Sequence, residues 1–125
     1  MHVLIIDDDP AIRYLTKFSL EKYQSAHPFA IHEAANGVEG LTYLKTATIL
    51  LRVILLDINM PVMNGFEFLE AYEQLGLTSE SGPHIYVLST LASDMSASGH
   101  TCVKGYFQKP ITGDNIRSIL ASIEE

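Results

Sequence analysis

The chain is predicted to fold as an α/β domain, a parallel sheet covered by helices on both faces. Three observations predict it. Five short apolar runs recur along the sequence, each too short and too continuous for an amphipathic helix. Stretches with apolar residues at helical spacing separate most of these runs, the alternation that builds βαβ units. Acids, a hydroxyl and an amine stand directly after the runs, where open parallel sheets gather their functional groups.

Taken in order, Val3-Leu4-Ile5-Ile6 reads as the first strand, apolar on both faces. A helix is predicted from Pro10 to about Tyr23, with Asp9 as N-cap and Pro10 at the first helical position. Its apolar stripe is expected to be Ala11, Leu15 and Phe18, broadened by Ile12. Phe29 to Ala34 forms a second strand, and Asn36-Gly37 turns the chain into a helix carrying Val38, Leu41 and Leu44. Arg52 to Leu56 is the third strand, ending at Asp57. A loop from Asn59 to Gly65 leads to a helix marked by Phe66, Leu69, Tyr72 and Leu75 and closed near Gly76. Ile85 to Leu88 is a fourth strand ending at Ser89. Leu91 to Gly99 is rich in Ser and Ala and reads as a short or irregular helix. Val103 to Gln108 is the fifth strand, Lys109-Pro110 a turn, and Ile116, Ile119, Leu120 and Ile123 mark the last helix.

Length and composition set the bounds. The chain has 125 residues, 47% of them hydrophobic and 18% charged, an ordinary balance for one globular domain over residues 1–125. No apolar stretch approaches the roughly 20 residues of a membrane span, and Asp7 interrupts the first apolar run too early for a signal peptide. A net charge of −7 argues against autonomous binding to nucleic acid or to an anionic membrane. Cys102 is the single cysteine, which excludes an internal disulfide, suits a reducing cytoplasm and reads as a partly buried small hydrophobe. His2, His27, His32, His84 and His100 lack zinc spacing and read as surface or strand-edge residues.

The strand ends carry the chemistry. Asp7 and Asp8 end the first strand, Asp57 the third, Ser89 the fourth and Lys109 the fifth. Ionised acids brought together repel one another and call for a cation or for raised pKa values. A donor set of oxygens without His or Cys favours a hard ion, and Mg2+ fits better than zinc. Asp9 is accounted for as a helix cap, whereas Asp7 and Asp8 precede the cap position. A carboxylate beside Mg2+ can attack phosphorus to give an acyl phosphate, which is the role expected of Asp57. Lys109 would pair with phosphoryl oxygens, its direction fixed by a following X-Pro bond that is open to the cis form. Asp7, Asp8 and Asp57 carry three negative charges, which Lys109 and a divalent cation offset. A phosphoryl group would leave the site about one unit more negative and offer new acceptors to Ser89 and Lys109. Such a change is a switch.

Three stretches carry a resemblance. They are Val3-Leu4-Ile5-Ile6-Asp7-Asp8-Asp9-Pro10, Leu55-Leu56-Asp57-Ile58-Asn59-Met60-Pro61-Val62-Met63-Asn64-Gly65 and Gly105-Tyr106-Phe107-Gln108-Lys109-Pro110. With them in this order, the whole chain resembles the receiver domain of bacterial two-component response regulators. The resemblance implies a flavodoxin-like (CheY-like) three-layer sandwich with a five-stranded parallel sheet in order 2-1-3-4-5. It implies that Asp57 takes a phosphoryl group from a sensor histidine kinase or a histidine phosphotransfer protein. Mg2+ would be held by Asp8, Asp57 and the Asn59 carbonyl, with Asp7 acting through water. Ser89 and Tyr106 would be the switch pair that changes binding to a downstream protein. On this view the domain is a signalling phosphoacceptor that assists its own phosphorylation and dephosphorylation, without being an enzyme.

Ser89 stands where threonine is commoner in that family, and the segment between Ser89 and Lys109 is slightly short for it and poor in helix formers. Leu91, two residues after Ser89, cannot position an attacking water, so a long-lived phosphoryl state is expected, with Asn59 the other contact. Because the sequence ends just past its last helix, a single-domain regulator without an output domain is expected. The alternative reading is a phosphate-independent interaction module on the same fold, which would have no need of Asp57, Asp8 and Lys109 together. A haloacid-dehalogenase-like phosphatase would want a second acid where Asn59 stands. A flavodoxin-type cofactor carrier would want a glycine-rich loop after the first strand.

Overall fold

In a computed structural model, which describes residues 1–23, 28, 30–46, 50–60, 62–76, 82–90 and 102–123, every apolar run lies in a strand. The elements are β1 (His2–Ile6), α1 (Pro10–Glu21), β2 (Ala30–Ala34), α2 (Gly37–Thr46), β3 (Leu51–Asp57), α3 (Gly65–Gln74), β4 (His84–Ser89), β5 (Val103–Gln108) and α4 (Gly113–Ile123). The five strands form one parallel sheet in the order β2-β1-β3-β4-β5. That order puts β1 and β3, the two most apolar strands, side by side at its centre, and it matches the expected topology. Phe29, Pro61, Leu91 to Gly99 and the two histidines His27 and His100 lie outside the described residues.

Strand alternation sorts the core into two layers. Leu4, Ile6, Ile54, Leu56, Ile85 and Val87 face α2 and α3, packing against Leu41, Phe68, Leu69 and Tyr72. Val3, Ile5, Val53, Leu55, Tyr86 and Leu88 face α1 and α4, packing against Leu20, Ile116, Ile119 and Ile123. Cys102 is half-buried at the edge of the first layer, and burial, with Glu73 beside it, pushes its thiol up to about 11. No helix of the described residues is long and apolar enough to cross a membrane.

The helix starts follow local chemistry. Asp9 caps α1, its carboxylate accepting the Ala11 amide at 2.9 Å, with Pro10 next as expected. Asn64 and Glu67 form a reciprocal capping box on α3, at 2.9 and 3.0 Å. Gly76, at φ +71°, lies in the left-handed region just beyond the end of α3.

The face of α1 differs from the expectation. Leu15 and Phe18 are 51% and 48% exposed, and the sheet-facing residues are Thr16 and Leu20. The helix is rotated so that Leu20 enters the layer with Ile116 and Ile119, leaving the Leu15–Phe18 stripe outward with Tyr14. Lys22 covers the Phe18 ring at 4.6 Å, which shields part of that stripe.

Candidate functional site

Parallel pairing brings four strand ends to one edge, and their polar residues meet there. Asp7 and Asp57 follow apolar strands into the rim and are 2% and 4% exposed, whereas Asp8 is exposed. One ligand oxygen from each of the three carboxylates lies within 4.8 Å of the others. Lys109 reaches across from the end of β5, its Nζ 2.7 Å from Asp7 Oδ2 and 2.9 Å from Asp57 Oδ1. The Lys109–Pro110 bond is cis. The Lys109 amide donates to the Ser89 carbonyl at 2.8 Å, tying the end of β5 to that of β4.

Each carboxylate is oriented by the backbone. Asp7 Oδ1 accepts the Asp9 amide at 2.9 Å, and Asp57 Oδ1 accepts the Asn59 amide at 3.3 Å. From α1, Arg13 Nη1 donates to the Asp7 carbonyl at 2.6 Å, while its Nε pairs with Glu33 of β2 at 3.1 Å. The loop after Asp57 is closed by the Gly65 amide on the Ile58 carbonyl at 2.9 Å. A Cβ on Gly65 would stand 2.7 Å from the Asp57 carbonyl oxygen, so the approach admits only glycine.

Burial dominates the electrostatics of Asp57. Desolvation raises its carboxyl to about 6; Lys109 opposes the rise and the Asp7 charge adds to it. For Lys109, burial would lower the ammonium, but the Asp7 and Asp57 carboxylates outweigh it and hold the group above its ordinary value. One ammonium thus serves two buried carboxylates, with a third acid at the mouth. The donor set is all oxygen and retains excess negative charge, so it fits a hard divalent cation.

These groups line an open cleft of about 520 Å3, bounded by Asp7, Asp8, Asp57, Asn59, Thr90 and Lys109, with Asp9, Ile12 and Pro110 at its margin. Five of the seven residues singled out from the sequence, Asp7, Asp8, Asp57, Asn59 and Lys109, therefore share one cavity. Ser89 does not line it. Its side chain is wholly buried, and the next residue, Thr90, is the exposed hydroxyl on the wall. Tyr106 is also outside the cleft, half-buried against the layer that faces α2 and α3. Val87 pairs with Tyr106 in the β4–β5 register, so Ser89, two residues on, stands on the same sheet face as Tyr106. Sequence reasoning missed Thr90 and Arg13: a hydroxyl one past a strand and an arginine on a helix become site residues only through the register and the helix rotation.

A family model described as the response regulator receiver domain matches residues 3–121. The sensor histidine kinase RcsC of Salmonella typhi is 28% identical over 129 residues, covering 100% of this chain and 12% of the kinase. The chain thus spans about an eighth of the length of that curated relative. Among solved structures, the chemotaxis protein CheY4 of Vibrio cholerae superposes with a TM-score of 0.76 at 27% identity, covering 98% of this chain and 97% of that one. The response regulator TrrA of Thermotoga maritima, solved in complex with Mg2+-BeF, superposes at a TM-score of 0.79 and 23% identity, covering 98% of this chain and 97% of that one.

Proposed function

The chain belongs to the response regulator receiver domain family, and from that premise we propose that residues 1–125 are one receiver domain whose Asp57 accepts a phosphoryl group. The receiver is a signalling module of two-component systems rather than an enzyme with its own substrate. The observation that carries the reading is the placement of Lys109 Nζ, 2.7 Å from Asp7 and 2.9 Å from Asp57, over three carboxylates that share one open cleft.

The donor would be the phosphohistidine of a sensor histidine kinase or of a histidine phosphotransfer protein. An Asp57 carboxylate oxygen bonds to phosphorus as the N–P bond breaks, and the electron pair leaves with the imidazole. Asp8, Asp57 and the Asn59 carbonyl would hold Mg2+, with Asp7 acting through water. There Mg2+ would supply positive charge to offset that of the phosphoryl oxygens. The mobile ammonium of Lys109 then has two successive partners: the buried carboxylates before transfer and a phosphoryl oxygen after it.

Transfer is read out at the end of β4. Thr90, on the cleft wall, offers its hydroxyl to the new acceptor oxygens directly, whereas the buried Ser89 would have to move toward them. Tyr106, on the same sheet face as Ser89, supplies the coupled aromatic group that alters binding to a downstream protein. The reading needs neither nucleic acid nor membrane as a direct partner, and it makes the domain cytoplasmic.

Intact mass after incubation with acetyl phosphate tests the proposal, with and without Mg2+, on wild type and Asp57→Asn. One added phosphoryl group that requires Mg2+ and is absent from Asp57→Asn is the expected result. An adduct that persists in Asp57→Asn would overturn the assignment. No adduct together with no Mg2+ binding would leave a phosphate-independent interaction module in its place.

A further inference from the structure

Two histidines meet at the end of the sheet away from the cleft. In the parallel β1–β2 register His2 stands opposite Ala30 and Leu4 opposite His32, so the two are diagonal neighbours on the face that α2 covers. His2 Nδ1 and His32 Nε2 are 3.0 Å apart, with 25° between the ring planes. The ring centres are 5.3 Å apart, the separation that results when the N–H of one imidazole points straight at the lone pair of the other. Both residues are half-buried, so protons reach them from water, and Tyr43 of α2 tilts against His32 at 5.4 Å.

The bond responds differently to a first and a second proton. In the neutral pair one facing nitrogen donates and the other accepts. A first proton enters on the outer nitrogen of the donor ring, so the bond persists and becomes charge-assisted. A second must take the facing lone pair itself. Both facing nitrogens are then donors, the bond is lost and two cations confront each other. We propose that His2 and His32 form an acid-sensitive latch on the edge strand β2, one that keeps its bond with one proton and opens on the second.

Nothing nearby offsets the second charge among the described residues. The Tyr43 phenol is raised by burial and stays neutral. Glu33 of β2 pairs with Arg13 on the opposite face, and Arg52 of β3 donates to the Ile123 carbonyl of α4. The Met1 ammonium donates to the Pro28 carbonyl, and Lys45 in the last turn of α2 is exposed. Burial, and then His2, hold His32 below its ordinary 6.5. The closed latch therefore binds fewer protons than the open one as pH falls below 6.5, so it is strongest above that value and weakens below it.

Only β1 pairs with β2, so no second neighbour holds the strand when the latch opens. The loosening would travel along β2 to Glu33, which holds Arg13 at 3.1 Å, and to the Ala34 carbonyl, which accepts the Asp7 amide at 3.1 Å. None of this depends on the phosphoacceptor reading.

The test follows the imidazole nitrogens by 15N NMR, and amide exchange relative to an unstructured chain at the same pH, from about pH 8 to pH 5. Wild type, His2→Phe and His32→Gln are compared, since either substitution removes one of the two charges. Both wild-type rings should report two shared steps, and the remaining ring of each variant a single step. In His2→Phe the proton affinity of His32 should rise by about tenfold. Protection of the β2 amides and of the Asp7 amide should fall by about fivefold in wild type across this range, and most of that fall should vanish in both variants. Single independent steps in wild type would overturn the proposal. So would an unchanged His32 midpoint in His2→Phe, or an equal loss of β2 protection in all three proteins.

Discussion

Lys109 Nζ stands 2.9 Å from Asp57 Oδ1, with side chains only 10% and 5% exposed, and the same ammonium also neutralises Asp7. Removing it leaves two buried carboxylates facing each other without a cation. Lys109→Met should therefore lower stability at neutral pH by about 3 kcal/mol in EDTA, the scale of breaking a buried pair. Millimolar Mg2+ should recover part of that loss. Urea unfolding with and without Mg2+ reads both effects, and an unchanged midpoint in EDTA would show that Lys109 does not neutralise the site.

The raised Asp57 carboxyl, at about 6 against an ordinary 3.8, sets a pH dependence with a definite sign. Between those values the native state binds the proton that the unfolded chain has lost. Stability without divalent cations should therefore fall as pH rises through that window. Asp57→Asn, which carries no charge, should be more stable than wild type at pH 7 in EDTA, by up to about 3 kcal/mol. The difference should shrink as pH falls towards 4. A gap that widens on acidification would contradict burial as the dominant cause.

Arg13 acts on the site through the Asp7 carbonyl, held at 2.6 Å, and is itself held by Glu33 at 3.1 Å. This makes it a positioning residue for the loop that carries Asp7 and Asp8. Arg13→Ala should weaken Mg2+ binding about tenfold, with Arg13→Lys retaining part of the affinity. A purely structural role would lower the urea midpoint in EDTA and leave the Mg2+ affinity of the folded protein unchanged, so titration calorimetry separates the two.

The loop after Asp57 holds two backbone extremes. Gly65 has backbone atoms within 2.8 Å of where a Cβ would sit, and Val62 has φ +72° with its side chain 84% exposed. Gly65→Ala should destabilise by about 1–3 kcal/mol, because the carbonyl of Asp57 cannot move aside without disturbing the site. Val62→Gly should do the opposite, relieving a β-branched residue in the left-handed region by about 1 kcal/mol. Thermal unfolding of the two variants should bracket wild type.

Much of the sheet was legible because a strand buried on both faces must be apolar at every position, and Val3 to Ile6 and Val53 to Leu56 are. Asp57 was legible for the complementary reason: a lone acid ending such a strand has no packing role. The α1 face was not. Leu15 and Phe18 have the spacing of a buried stripe, yet Thr16 and Leu20 are the buried residues. Helical spacing reports a stripe without saying which neighbour it meets, and in α1 it is Leu20 that joins the layer with Ile116 and Ile119. Ser89 and Thr90 illustrate the same limit at single-residue scale. Both are hydroxyls at a strand end, and only the packing around the end of β4 decides that the first is buried and the second lines the cleft.

By itself the sequence determined the fold class, the order of the strands along the chain and which acids and amine stand at their ends. These follow from apolar runs and helix caps, which are local properties. The tertiary structure alone decided the lateral register and the rotation of each helix. From these come the Lys109 bridge between Asp7 and Asp57, the Arg13 hold on the Asp7 carbonyl and the meeting of His2 with His32. Such contacts join residues far apart in the chain, and packing against neighbouring elements, rather than local spacing, selects among the registers that the same sequence pattern allows.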